Sequence, residues 1–189
     1  QRSYDKGAED YYNEMTKRLK HGEYYHADSI QFPDSLKYST RLSGRTVYGG
    51  GGIMPDIFVP VDTTFASELY TDLIRKGVFN QYVVDYVMEE RENLKNKYPD
   101  FSDFENDFII TDAMIDKFRM LAEEKGIEWN EEQYKRSEEM IKLQLKSLIA
   151  RNEWENENYY KIILSEDKMI NKAIEILNDA NQYRSILKR

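Results

Sequence analysis

The chain has 189 residues, of which 40% are apolar and 13% aromatic, so it is long and apolar enough to build a core, and the composition excludes a disordered chain. A net charge of -8 argues against the clustered cationic surface that a nucleic-acid-binding protein normally needs, so we set that class of function aside. The absence of cysteine excludes a disulfide framework, a thiolate zinc site and a cysteine nucleophile.

The first third of the chain combines one helix pattern with two strand patterns. Residues 4–20 carry apolar side chains at helical spacing and predict a helix that ends near Gly22. Residues 24–42 have no clean period, so we interpret them as a loop or irregular arm. Residues 45–48 and 57–61 are the strand candidates. Two short strands are not a stable sheet alone, so we expect this pair to need further strands.

A run of four glycines lies between the two strand candidates. Such a run is costly in backbone entropy, and its position predicts a strand, a tight glycine bend and a second strand. A phosphate-binding loop is the alternative, but the spacings Gly-x-Gly-x-x-Gly and Gly-x-x-x-x-Gly-Lys-Ser/Thr are absent. The residues of this structural motif are Gly49, Gly50, Gly51, Gly52, Ile53, Pro55 and Asp56.

After Pro60 the pattern becomes helical throughout. Asp62, Thr63 and Thr64 are N-cap candidates for a helix that carries Phe65 and Leu69 and ends at Gly77. The next predicted helices are 78–98, stopped by Pro99, then one capped by Thr111-Asp112 and ended by Gly126, and the longest, from Asn130 to about Asn152. Shorter helices are predicted at 156–164, 167–177 and 181–187. The fold class is therefore mainly α, a multi-helix module preceded by a short β segment.

Three features suggest a binding or catalytic site, and each has a simpler interpretation. His21 and His26 lack the i, i+4 spacing of a zinc protease helix, so no metal site is predicted. The acidic segment 99–107 lacks the residue order of an EF-hand loop, and Phe101, Phe104 and Phe108 fit better as anchors to the helical core. Eight serines in predicted loops or on helix faces lie in neither a Gly-x-Ser-x-Gly nor a Ser-x-x-Lys pattern: Ser29, Ser35, Ser39, Ser43, Ser67, Ser102, Ser137 and Ser147.

Aromatic and methionine residues also recur at helical spacing. Tyr82, Tyr86, Phe118 and Met140 are examples that would suit a peptide groove. Their positions coincide with the period that folding alone demands, so we predict that they belong to the core.

The last glycine of the run and the residues after it resemble a signature of a known protein family. Residues 52–59 read Gly-Ile-Met-Pro-Asp-Ile-Phe-Val, which resembles the Gly-Ile-x-Pro-Asp-x-x-Val signature of carboxyl-terminal processing (tail-specific) serine proteases. Residues 1–4 are similar to the continuation of the segment Tyr-Tyr-Thr-Pro-x-Gly-Arg-x-Ile-Gln in that family. Residues 159–177 resemble the C-terminal tail of its long bacterial members.

The resemblance implies a division of the chain and a parent enzyme. Residues 1–61 would be the C-terminal edge of the peptidase core with an inserted arm, and residues 62–189 an all-helical C-terminal domain. The family cleaves proteins near their C-terminal ends with a Ser–Lys dyad, and both residues would precede Gln1. No catalytic, cofactor-binding or metal-binding residue is therefore assigned here, and the 189 residues alone are expected to be inert.

The resemblance also implies partners and a location. The partners would be protein substrates, reached through the parent enzyme, the missing peptidase core, and further subunits if the protein is a homo-oligomer. The helical domain would brace the core, gate access or contact those subunits. The location would be the periplasm or cell envelope, although the sequence shows neither a signal peptide nor the ~20 apolar residues of a membrane span.

Two other interpretations stay open. The first is a free-standing helical binding or scaffold module, which has no evident use for the strand candidates. The second is a hydrolase active within this chain, which lacks a convincing nucleophile. The peptidase interpretation makes a structural prediction: Val47, Ile53, Ile57 and Val59 should present apolar surface for the missing core to cover.

Overall fold

The computed structural model describes residues 7–49 and 54–187. They are mainly helical with a short two-stranded sheet, which confirms the predicted fold class. The elements in chain order are α1 (Gly7–Lys20), β1 (Lys37–Ser39), β2 (Thr46–Tyr48), α2 (Glu68–Arg75), α3 (Val78–Lys97), α4 (Phe101–Asp107), α5 (Asp112–Glu124), α6 (Glu131–Glu153), α7 (Asn156–Ser165), α8 (Lys168–Asn178) and α9 (Ala180–Leu187).

The chain divides into two compact units. The hairpin unit comprises Gln1–Asp62 with Lys168–Arg189, and the helical unit comprises Thr63–Asp167. The division from the sequence had placed 1–61 and 62–189 in separate domains. The identities proposed for those segments, a peptidase-core edge and an accessory helical domain, stay predictions.

The sheet of the hairpin unit differs from the predicted one. β1 lies in the segment that was expected to be irregular and pairs antiparallel with β2, with Tyr38 opposite Val47. The prediction of a strand at 57–61 is wrong, because these residues form bends and irregular backbone. A short connection favours the observed pairing, since closing a short loop costs little entropy. The Thr40 amide donates to the Arg45 carbonyl at 2.9 Å, and Gly44 has a φ of 66° that suits its turn.

Most helix boundaries in the helical unit follow the predicted caps. Thr111 Oγ1 accepts from an amide of the first turn of α5 at 3.3 Å, and Asn130 Oδ1 does the same for α6 at 3.0 Å. The prediction that Asp62–Thr64 caps α2 is wrong. Ser67 is the N-cap, and its hydroxyl accepts from the Tyr70 amide at 3.0 Å.

The hydrophobic core lies in the helical unit. Every buried apolar side chain of the described residues falls between Leu69 and Ile162. The predicted anchoring role of the phenylalanines is confirmed for Phe104 and Phe108, whose rings stack at 4.3 Å and are buried. The largest side chains with almost no exposure are Leu73, Val78, Val83, Phe104, Phe118, Ile141, Leu145 and Ile149.

One core residue carries a polar group without a partner. The Tyr82 hydroxyl is buried, and no described residue hydrogen-bonds it. Its ring packs edge-on against Phe118 at 5.4 Å, and burial raises the pKa of the hydroxyl. We expect Tyr82→Phe to raise the free energy of unfolding by about 1 kcal/mol, because the ring stays and the desolvated orphan group is removed.

Urea denaturation of the whole chain checks this expectation. Tyr86→Phe is the control. The Tyr86 ring stacks on the Tyr82 ring at 6.0 Å, but Tyr86 is only partly buried. A loss of stability in Tyr82→Phe would mean that the hydroxyl has a hydrogen-bond partner in solution.

Candidate functional site

The predicted glycine motif is partly within the described residues. Gly49, Pro55 and Asp56 are described, whereas Gly50, Gly51, Gly52 and Ile53 lie outside the described residues. The Gly49 amide donates to the Leu36 carbonyl at 2.8 Å. A Cβ at Gly49 would lie 2.7 Å from the Tyr38 ring, so a larger residue at this position would make that exposed ring shift.

An ion pair connects the residues on either side of the glycine run. The Arg45 guanidinium, next to the start of β2, donates to a carboxylate oxygen of Asp56. Pro55, beside Asp56, is exposed. The Val61 amide donates to the Tyr24 carbonyl at 2.9 Å. These contacts hold the segment after the glycines against the rest of the hairpin unit. They do not add a strand to its sheet.

The hairpin unit has no buried residue among those whose burial the structure describes. Val47, which was expected to offer apolar surface, is 39% exposed. Ile57 and Val59 are partly buried, and Ile53 is outside the described residues. Both α8 and α9 also expose large apolar side chains, including Ile174 and Leu177. The unit therefore presents apolar groups and has no buried core among its described residues.

The helical unit contains an apolar cleft of about 520 Å³ between α3, the connection from α4 to α5, and α5. Tyr86, Leu94, Tyr98 and Phe108 line it, and the Phe108 ring lies 5.7 Å from Tyr98 and 6.5 Å from Tyr86. Burial, with a smaller effect of Glu90, raises the pKa of Tyr86 to about 12, so the phenol is neutral at physiological pH. The cleft thus offers aromatic surface and hydroxyl groups.

The prediction that the aromatic and methionine residues belong to the core is correct only in part. Tyr82 and Phe118 are core residues, as predicted. Tyr86 is partly buried and lines the cleft, and Met140 is also partly buried. A helical period identifies the inward face of α3, but it does not show where a neighbouring helix stops covering that face.

The connection from α4 to α5 forms one wall of this cleft. Phe108 and Thr111, at its ends, have extended backbone angles. Ile110 is buried, whereas Ile109 is 75% exposed. No described residue makes a hydrogen bond to the backbone of Ile109 or Ile110. The wall is therefore an extended segment outside any sheet.

A buried pair of serines was not found from the sequence. The Ser67 and Ser137 hydroxyl oxygens lie 2.8 Å apart, and Ser137 donates to the Phe65 carbonyl at 2.5 Å. A nucleophilic serine needs a His or Lys base, and these hydroxyls have backbone groups and each other as partners. Their arrangement is that of a structural hydrogen-bond network.

Two further observations concern metal binding and membrane-spanning helices in the described residues. No group of three or more His, Cys, Asp or Glu side chains within residues 7–49 and 54–187 is placed to hold a metal ion. None of the helices in those ranges is long and apolar enough to cross a membrane.

Residues 69–155 match a protein family whose description is "Family of unknown function (DUF8443)". The match runs from α2 to just beyond α6 and includes the residues that line the cleft. No curated protein matches the chain, and no solved structure matches it.

Proposed function

We propose that this chain is the C-terminal region of a bacterial tail-specific serine endopeptidase. Its hairpin unit would complete the peptidase core, and its helical unit would brace that core or gate access to it. Catalysis would be performed by residues upstream of Gln1, and the substrates would be proteins cleaved near their C-terminal ends.

The observation that supports this proposal is that the described part of the hairpin unit has no buried core. A two-stranded hairpin is marginal by itself in water, and here it occurs with an exposed Val47 and no described buried residue. Contiguous apolar patches on a protein surface mark sites that another body covers. A peptidase core that adds strands and apolar side chains would supply that cover.

A second candidate, a self-contained helical binding module, is favoured by a different observation. The buried apolar residues lie between Leu69 and Ile162, and the family match spans nearly the same residues, 69–155. The helical unit therefore has what an independent module needs. That interpretation gives no use for the hairpin, whose sheet has two strands in the described part of the chain.

The reading frame upstream of the Gln1 codon tests the proposal first. We expect a continuous frame that encodes a serine, a following lysine and the Tyr-Tyr-Thr-Pro-x-Gly-Arg segment. A start codon or a stop codon immediately upstream would overturn the peptidase origin and leave the helical module as the better interpretation.

A substitution in the encoded enzyme tests the role of the hairpin. We expect Val47→Asp to lower the cleavage rate of an unstructured peptide about tenfold or more, since an unpaired charge buried by the core costs more than the ~1.4 kcal/mol of a factor of ten. Thr46→Asp is the matched control, because adjacent strand residues point to opposite faces. Equal activities of the two variants would contradict the proposed contact.

A further inference from the structure

The last two helices of the hairpin unit expose apolar side chains at helical spacing. α8 has no buried residue, and Ile174 and Leu177, three positions apart on one face, are 52% and 65% exposed. α9 follows after one residue and exposes Tyr183 and Leu187, four positions apart. Single exposed apolar side chains are ordinary, whereas apolar groups repeated along a helix face are typical of a contact surface.

The charged residues of α8 lie on the side of the helix away from this apolar pair. Lys168, Lys172 and Glu175 recur at helical spacing. Lys168 donates to a carboxylate oxygen of Asp62 in the same unit, and Lys172 donates to Glu175 at 2.6 Å. These ion pairs engage the charged side of α8 within its own unit, while its apolar side stays exposed.

The segment that carries both helices is cationic in an acidic chain. Residues 168–189 contain five lysine and arginine residues and two carboxylates, a net charge of +3. The whole hairpin unit has 13 cationic and 11 anionic residues, a net charge of +2, whereas the helical unit has 14 and 24, a net charge of -10. An anionic surface would therefore attract the unit that exposes the apolar groups and repel the other.

This combination favours a lipid surface as the cover of α8 and α9. A second copy of the chain would bring the same positive segment to the contact, and like charges oppose association. The surface of an anionic bilayer attracts cations and accepts apolar side chains at the boundary between head groups and acyl chains. Tyr183 suits such a boundary, because its ring is apolar and its hydroxyl is polar.

We propose that α8 and α9 bind the surface of an anionic lipid bilayer and lie in its interface. Ile174, Leu177 and Leu187 enter the boundary of the acyl chains, and Arg184, which is exposed, lies among the lipid phosphates. The contact uses only these two helices, so it does not depend on the proposed peptidase origin.

Co-sedimentation of the whole 189-residue chain with lipid vesicles tests this proposal. The probes are vesicles of phosphatidylcholine and vesicles in which about a third of the lipid is phosphatidylglycerol. We expect at least about tenfold tighter binding to the anionic vesicles, weakened by added salt because salt screens the attraction. Arg184→Gln should weaken binding about fivefold, the equivalent of ~1 kcal/mol for one cation near an anionic surface.

Two double variants test the location of the contact. Ile174→Glu with Leu177→Glu places two charges on the apolar face and should weaken binding to anionic vesicles at least about tenfold, because a charge resists transfer out of water. Met88→Glu with Met120→Glu makes the same kind of change at exposed positions of the helical unit and should leave binding unchanged. If the first double variant fails to fold, the two kinds of vesicle and Arg184→Gln still decide the question.

Three outcomes would overturn the proposal. The first is binding to both kinds of vesicle alike, or to neither. The second is an equal effect of the two double variants. The third is a dimer that forms without lipid and is lost in Ile174→Glu with Leu177→Glu, which would show that a second copy of the chain covers this face.

Discussion

Replacing Phe104 with alanine is expected to lower the free energy of unfolding by about 3–5 kcal/mol, the usual cost of truncating a fully buried aromatic side chain. Phe104 has no exposed surface. Its ring stacks on Phe108 at 4.3 Å and lies 4.9 Å from the Trp154 ring. Aromatic rings that are fixed by several neighbours relax little into a cavity, so the loss should fall in the upper part of that range.

Phe101→Ala is the matched control for this prediction. Phe101 is in the same helix but only partly buried, and its ring lies 6.2 Å from Trp154. We expect this variant to lose about 1 kcal/mol, because less apolar area leaves the interior. Urea denaturation followed by far-ultraviolet circular dichroism measures both. Equal losses would mean that α4 contributes through its helix rather than through Phe104.

The α4 anchor shows what the sequence predicts well. Its phenylalanines were predicted to anchor the segment to the helical core, and Pro99 and Thr111 marked the neighbouring boundaries. These signals are local, since a cap or a breaker acts on backbone groups within one turn. The predicted bounds of α3, α5, α6 and α7 therefore lie within a few residues of the observed ones. The sequence predicted no helix for α4, and it placed the cap of α2 at Asp62–Thr64 instead of Ser67. The choice of Ser67 depends on its contact with Ser137, which lies 70 residues away.

The hairpin shows where sequence reasoning fails. Residues 57–61 have the apolar, β-branched composition of a strand, yet they are irregular, because the partner of β2 is β1. β1 has only three residues, and all of them are exposed, so it carries no alternating pattern to detect. Strand pairing depends on non-local contacts and on which other segments can pair with the strand. The strand propensity of a single segment does not encode either of these.

The cleft was also beyond the sequence. The run from Phe108 to Ile110 is apolar like any core segment, and only the structure shows that Ile109 is exposed and that no described residue hydrogen-bonds its backbone. Tyr86 has the same helical phase as buried neighbours on α3. What distinguishes it is the cleft beside α3 and α5, which a helical period does not encode.

Ser137→Ala is expected to lower the free energy of unfolding by about 1–3 kcal/mol, the range for leaving buried polar groups unsatisfied. The Ser137 hydroxyl donates to the Phe65 carbonyl at 2.5 Å and lies 2.8 Å from the Ser67 hydroxyl. Because Ser67 also caps α2, the loss should extend to that helix. Amide hydrogen exchange of Tyr70, whose N–H donates to Ser67 Oγ, should become faster than in the unchanged chain.

Ser147→Ala separates this network effect from the loss of a buried hydroxyl. Ser147 lies in the same helix, α6, and is equally inaccessible, but its hydroxyl donates to the carbonyl of Leu143, one turn earlier, at 2.7 Å. That carbonyl belongs to the helix interior, where it already accepts a backbone hydrogen bond, and alanine is the better helix former. We therefore expect Ser147→Ala to change stability by less than about 0.5 kcal/mol, the scale of ordinary helix propensities.

If both variants lost the same amount, the cost would come from the vacated volume, and the cap of α2 would not depend on α6. The other outcome is that Ser137→Ala alone loses stability and alone makes the Tyr70 amide exchange faster. The start of α2 would then be fixed by a contact between Ser67 and a side chain 70 residues away, and local cap rules do not include such a contact.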